Sequence, residues 1–179
     1  MDESGAATIT GTRNHVTTKK SYQMTQIAIG DHAPEFELPA DGGSTISLSA
    51  LRGSIVVLFF YPKDDTSGCT TEALDFTAHK TEFDAIGAHL IGISPDSVKR
   101  HDKFKAKHGL KVTLAADEEK AVLHAYGVWV EKSMYGRKYM GVERTTLLLD
   151  AKGRIVRIWN KVKVAGHASE VLQAAQAIA

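Results

Sequence analysis

From Ile27 to the C-terminus the spacing of apolar residues changes repeatedly, and each change marks an element boundary. Ile55 to Tyr61 is an unbroken apolar run rich in β-branched and aromatic side chains, the pattern of a strand buried on both faces. Residues 70–88 then place Ala73, Phe76, Phe83 and Ile86 on one helical stripe. A second short apolar strand, "HLIGIS", begins at His89. Residues 97–109 read as a charged surface helix ending at Gly109, a residue suited to the position after a helix. Residues 111–117 read as a third strand, with Asp117 placed to cap a helix over 118–127. Residues 144–160 form a hairpin pattern with Ala151-Lys152-Gly153 at its tip, where Gly153 is free to take positive φ. The last thirteen residues put Val171, Ala174, Ala175 and Ile178 on one helix face. Upstream, "EFEL" and "TISLSAL" flank "PADGGS" and predict a further hairpin or edge strand.

Strands alternating with helices, followed by a hairpin and a closing helix, predict an α/β three-layer sandwich. The order βαβ, then α, then ββα is similar to that of the thioredoxin fold. Residues 27–179 are expected to form this domain and residues 1–26 an N-terminal extension. The first 23 residues are rich in Ser, Thr and Gly and lack apolar periodicity, so they read as disordered, without the apolar core of a secretory signal. Met24 could serve as an alternative start. The chain's 22 basic and 21 acidic residues leave a formal charge of +1, which gives no support for a nucleic-acid partner or an anionic membrane surface. No apolar stretch approaches the ~20 residues needed to span a bilayer.

The chain has one cysteine, Cys69, in "YPKDDTSGCTTE". It cannot close an internal disulfide, which fits a reducing compartment such as the cytoplasm, and any disulfide it enters needs a second molecule. It stands where an apolar strand hands over to a helix, the end of an α/β sheet at which ligands gather. In the first turn of a helix a thiol meets unpaired backbone N–H groups and the positive end of the dipole, both of which favour thiolate. Pro62 would fix the loop's departure from the strand, and Gly68 would let the backbone approach a bound oxygen. "TSGC" keeps the spacing of a Cys-x-x-Cys redox pair but puts the hydroxyl of Thr66 at the first position, so dithiol exchange within the chain is not encoded.

Pro62, Thr66 and Cys69 match the Pro-x-x-x-Thr-x-x-Cys signature of peroxiredoxins. The chain resembles in particular the bacterioferritin-comigratory-protein, or PrxQ, subfamily. The likeness extends through "GDHAPEFELPADGG", "ISPDSVKRHDKFKAKHGL", "YGVWVEKSMYGRKYMGVERTTLLLD" and "KVKVAGHASEVL". This resemblance implies a thiol-dependent peroxidase that reduces hydrogen peroxide and alkyl hydroperoxides through a cysteine sulfenic acid. Cys69 would be the nucleophile, Thr66 would hydrogen-bond peroxide and thiolate, and Pro62 would shield the site. Arg144 matches the family's active-site arginine and Glu72 an acid that orients it. Many members of the subfamily carry a resolving cysteine five positions after the first; here that residue is Leu74. The resemblance therefore implies resolution by an external thiol, from a thioredoxin-like or glutaredoxin-like protein or a small molecule, and a monomer. A peroxide sensor or redox-relay module of the same fold is the alternative.

Other residues read more plainly. Thr66 could equally be a helix N-cap, Pro62 a strand terminator, Arg144 a solvated strand-edge cation and Glu72 a first-turn acid favoured by the dipole. Asp64 and Asp65 read as solvated loop acids. Of the eight histidines, His101, His108, His124 and His167 follow no familiar ligand spacing, and most are expected at the surface. No metal motif and no phosphate-binding glycine loop occurs, so no cofactor is expected. Trp129 and Trp159 are expected to anchor packing.

Overall fold

The computed structural model describes residues 26–179. The expectations for the N-terminal extension and for Met24 fall outside the described residues. A two-stranded hairpin, β1 (Glu37–Pro39) with β2 (Thr45–Ser47), precedes the central sheet as "EFEL" and "TISLSAL" predict. The sheet then receives β3 (Val56–Phe60), β4 (His89–Ser94), β5 (Thr113–Ala116), β8 (Thr145–Leu149) and β9 (Ile155–Trp159), in the spatial order β5-β4-β3-β8-β9. Strands β3, β4 and β5 are parallel, while β8 and β9 form antiparallel pairs, β8 with β3 and β9 with β8. The helices are α1 (Ser67–Ala78), α2 (Lys80–Ala85), α3 (Val98–His108), α4 (Ala121–Ala125) and α5 (His167–Ile178).

The period-two geometry of β3 builds the layers. Ile55, Val57, Phe59 and Tyr61 enter one core with Phe76 of α1, Phe104 of α3 and Val171 of α5. Val56, Leu58 and Phe60 face the opposite core, which holds Phe36, Leu38, Leu123 of α4 and Tyr126. Every residue of β3 is buried, so the unbroken apolar run reports a central strand covered on both sides. The result is a mixed α/β sheet between two layers, the thioredoxin-like arrangement.

Several local expectations hold and others shift. Gly109 and Gly153 take positive φ of 62° and 78° at the end of α3 and in the β8–β9 turn. The stripe from Ala73 to Ile86 is split at His79 into α1 and α2, although Phe76 and Phe83 are both fully buried. Asp117 reaches the start of α4 by accepting from the Leu123 N–H at 2.8 Å, but the residue at the cap position is Lys120, in left-handed conformation. On α5, Val171 and Ala175 are buried, whereas Ile178 is exposed at the end of the helix.

The apolar pattern misses one element. Strands β6 (Trp129–Met134) and β7 (Arg137–Val142) form a separate antiparallel hairpin turning at Tyr135-Gly136. Its strands mix apolar and polar residues in no regular alternation and leave most of them exposed, so they lack the pattern that marks a half-buried strand.

Gly92 in β4 seats the layer that carries α1. A Cβ there would lie 2.7 Å from Phe59 Cζ and 3.0 Å from Leu114 Cδ2. Its absence lets the Phe59 ring lie across β4 and stack on Phe76 of α1, with centroids 4.7 Å apart.

Candidate active site

β3 ends at Phe60, and the chain turns through Pro62 and Asp64 into α1 at Ser67. Cys69 therefore sits in the first turn of α1, at the carboxyl end of a central strand. It shares the inner face of the helix with Glu72, Ala73 and Phe76, at the i, i+3, i+4, i+7 positions. Cys69 is 2% exposed.

The antiparallel register of β3 and β8 supplies the cation. Phe60 stands opposite Thr145, so Arg144 lies level with the start of the Cys69 loop. Its Nη2 donates to Cys69 Sγ at 3.2 Å, and its Nη1 donates to Glu72 Oε1 at 2.9 Å. Gly68 faces this guanidinium: a Cβ at residue 68 would lie 3.3 Å from Nη2. The missing Cβ of Gly68 thus leaves room for Arg144 beside the first turn of α1.

Glu72 is buried, and its second oxygen, Oε2, has no hydrogen-bond partner. Burial pushes its carboxyl up to about 7, against the downward pull of Arg144. For Arg144 itself, burial works against the charge, but Glu72 and Cys69 outweigh it and the guanidinium is held more firmly cationic than usual.

Thr66 occupies the N-cap position of α1 with extended backbone, yet its side chain caps no helical amide. The hydroxyl donates to the Lys63 carbonyl at 2.9 Å, so the side-chain hydrogen bond on the sulfur comes from Arg144. The hydroxyl oxygen keeps its accepting capacity. Pro62 is half-buried two residues after the end of β3.

Asp64 is not a solvated loop acid. It is 3% exposed, accepts from Tyr61 Oη at 2.6 Å and meets His101 Nδ1 at 2.7 Å. Its backbone N–H donates to Asp96 at 2.8 Å, tying the loop to the end of β4. Spacing signals neither Asp96 nor His101, because α3 and the end of β4 meet this loop only in the folded chain. Asp65 is exposed as expected, and Lys107 with His108 holds its carboxyl below the usual range. His101 and His167 are buried rather than superficial: His101 also faces the Ala115 carbonyl at 3.1 Å, and His167 Nε2 meets Thr146 at 2.8 Å. Burial, helped by the cation of Arg144, lowers His167 to about 4, although Glu170 pulls the other way. Trp129 and Trp159 each pack half-buried against one of the two cores.

A thioredoxin-like sheet that presents one helix-terminal thiol to a guanidinium, with no second thiol in the chain, defines a single-cysteine thiol-reactive protein. The sequence matches the AhpC/TSA family over residues 29–158. It is 48% identical over 147 residues to peroxiredoxin Bcp of Bacillus subtilis, covering 82% of this chain and 94% of that one. A structure of the Xanthomonas campestris bacterioferritin comigratory protein, studied for alkyl peroxide reduction, superposes with a TM-score of 0.76 at 48% identity, covering 79% of this chain and 90% of that chain. A serine-for-cysteine variant of PrxQ from Xylella fastidiosa gives a TM-score of 0.81 at 39% identity, covering 86% and 98%. The chain belongs to the AhpC/TSA family, within its Bcp/PrxQ peroxiredoxins, and is a thiol peroxidase.

Proposed function

We propose that Cys69 is the peroxidatic nucleophile and that Arg144, Thr66 and the Cys69 backbone N–H together bind the hydroperoxide. The thiolate attacks the nearer peroxide oxygen, the O–O bond breaks, and Cys69 sulfenic acid forms while the outer oxygen leaves as water or an alcohol once protonated. Hydrogen peroxide and alkyl hydroperoxides are the substrates, the latter in line with the alkyl peroxide reduction studied in the Xanthomonas relative.

Magnitudes favour Arg144 as the main contributor. Lowering any thiol's pKa from ~8.5 to ~6 raises its thiolate fraction at pH 7 about 30-fold. The accompanying fall in nucleophilicity, with a Brønsted slope of ~0.4–0.5, removes about 10-fold. Ionisation thus gives a few-fold gain, and most of the acceleration has to come from stabilising the charge that develops on the leaving oxygen. The observation that carries this reading is the Arg144 guanidinium, braced by Glu72 on one nitrogen and donating to Cys69 Sγ at 3.2 Å from the other. Pro62 shields the loop side, and Glu72 orients the guanidinium.

Resolution comes from an external thiol, because the chain offers no second one and Leu74 occupies the subfamily's resolving position. Cys69 is buried, so the first turn of α1 has to open before another molecule's sulfur can reach it. We assign the reaction to a monomer in a reducing compartment such as the cytoplasm. Among the described residues no helix is long and apolar enough to cross a membrane.

The test separates the two half-reactions. One equivalent of hydrogen peroxide should oxidise Cys69 orders of magnitude faster than a free thiol, giving a sulfenic acid that a dimedone probe traps and mass spectrometry locates. Continued turnover should require added thiol. Oxidation at the rate of free cysteine, or full turnover without added thiol, overturns the reading.

A further inference from the structure

The β6–β7 hairpin is the most exposed apolar feature among the large side chains. Met134 and Tyr135, at and beside its turn, are 56% and 98% exposed. Its register sorts the side chains onto two faces. Lys132 pairs with Tyr139 and Met134 with Arg137, so these four share one face with Gly141. The positions of Lys132 Cδ and Tyr139 Cε2, each 3.4 Å from where a Gly141 Cβ would stand, show both side chains flanking that glycine. The opposite face carries Glu131, Met140 and Lys138, and there Lys138 and Glu131 approach to 3.6 Å as an ion pair.

The first face therefore holds two cations, two large apolar side chains and no carboxylate. It is also continuous with the thiol site. Arg144 follows the end of β7 by two residues, and the Lys132 ammonium lies within the fields of Arg144, Glu143 and Cys69. Burial first, and then the Arg144 cation, lowers the Lys132 ammonium, while Glu143 and Cys69 act in the opposite sense. The Lys132 ammonium makes no hydrogen bond or ion pair among the described residues.

We propose that this face, formed by Lys132, Met134, Arg137 and Tyr139, is the docking surface for a dithiol protein whose reactive thiol is rimmed by acidic and apolar groups. The proposal rests on the reading of Cys69 as a nucleophile resolved from outside. Strands of six residues span about 20 Å, which a tripeptide thiol cannot cover but a protein surface can. Two cations without a carboxylate select an acidic partner and steer its approach. In the docked pair the partner thiol attacks Cys69 sulfenic acid, forming a mixed disulfide and releasing water. The partner's second thiol then attacks its own sulfur, restoring the Cys69 thiol and leaving the partner oxidised as an intramolecular disulfide.

Arg137 and Lys138 provide a matched pair, adjacent in sequence and alike in charge but on opposite faces. Wild type, Arg137→Glu and Lys138→Glu are oxidised with hydrogen peroxide, and reduction is followed with thioredoxin and with dithiothreitol at several salt concentrations. Arg137→Glu should slow reduction by thioredoxin about 10-fold or more and flatten its salt dependence, whereas Lys138→Glu should stay within about 2-fold of wild type. Tyr139→Ser should slow the same step while leaving the salt slope unchanged. Dithiothreitol should reduce all four proteins equally. Equal effects of Arg137→Glu and Lys138→Glu, or equal slowing with dithiothreitol, overturn the proposal. So does reduction of wild type by glutathione but not by thioredoxin, or a loss of self-association in Arg137→Glu with thioredoxin reduction unchanged. Failure of wild-type Cys69 to oxidise shows in the first step and refutes the parent reading, and this inference with it.

Discussion

Arg144 and Glu72 form a partly buried ion pair at 2.9 Å whose carboxylate is satisfied on one oxygen only, while the other guanidinium nitrogen donates to Cys69 Sγ. The carboxylate thus serves as a brace. It fixes the fork of the guanidinium in the plane that reaches the sulfur, and it does so while leaving Glu72 Oε2 without a partner in the interior.

Arg144→Lys tests the fork. A lysine keeps one positive charge but cannot donate to Glu72 and Cys69 in a fixed planar geometry. Second-order oxidation of Cys69 by hydrogen peroxide should fall about 10²–10³-fold, the usual consequence of removing an oxyanion-stabilising donor. Stopped-flow or competition kinetics measures this, and a loss below about 3-fold would show that charge alone suffices.

The buried acid and the buried histidine should bend the stability profile in opposite directions. Glu72 titrates at about 7 in the folded chain against 4.5 in the unfolded one, so its protonated form stabilises the fold. That contribution is complete below pH 4.5 and lost as pH rises through 7. His167 titrates at about 4 against 6.5, so its contribution is present above pH 6.5 and lost as pH falls through 4. Relative to wild type, Glu72→Gln should gain stability as pH rises from 4.5 to 7, by something of the order of 3 kcal/mol. His167→Gln should gain relative to wild type as pH falls from 6.5 to 4. Urea denaturation at a series of pH values reads both differences, and parallel profiles for variant and wild type would contradict the assignment.

Gly68→Ala should separate reactivity from stability. The new Cβ would stand 3.3 Å from Arg144 Nη2, and Glu72 keeps the guanidinium from retreating freely. A shift of a few tenths of an ångström off the sulfur should lower peroxide reactivity about 10-fold. Stability should change by less than about 1 kcal/mol, because alanine suits a helical turn at least as well as glycine. Unchanged oxidation kinetics would show that Arg144 has more freedom than its two hydrogen bonds imply.

Gly92→Ala should act through the core beneath the site. Its Cβ would fall 2.7 Å from Phe59 Cζ, inside a fully packed core. A loss of about 1–3 kcal/mol is expected from overpacking, with a Tm lower by several degrees. Since Phe59 stacks on Phe76 of α1, peroxide reactivity should fall with it. Calorimetry combined with the oxidation assay checks the pair, and a stable variant would mean that the ring has room to turn away.

The chain's local patterns reached far into the fold. The unbroken apolar run of β3, helical spacing in α1 and α5, and turn chemistry at Gly109 and Gly153 are consequences of neighbours along the backbone. They were legible for that reason. The β6–β7 hairpin was not legible, because strands that bury little apolar surface carry no alternation. Its remaining signal was the two-residue turn at Tyr135-Gly136, with φ of 51° and 76°. The buried roles of Asp64 and His101 were hidden too: each looks polar and dispensable alone, and only their pairing, 37 positions apart in sequence, offsets the penalty of burial.

By itself the sequence determined that one thiol lies where a buried strand gives way to a helix, because covalent neighbours and apolar spacing decide that junction. The tertiary structure decided what stands against that thiol. Residues 69 and 144 are 75 positions apart, and their contact depends on Phe60 pairing with Thr145, a hydrogen-bond register that no local pattern encodes.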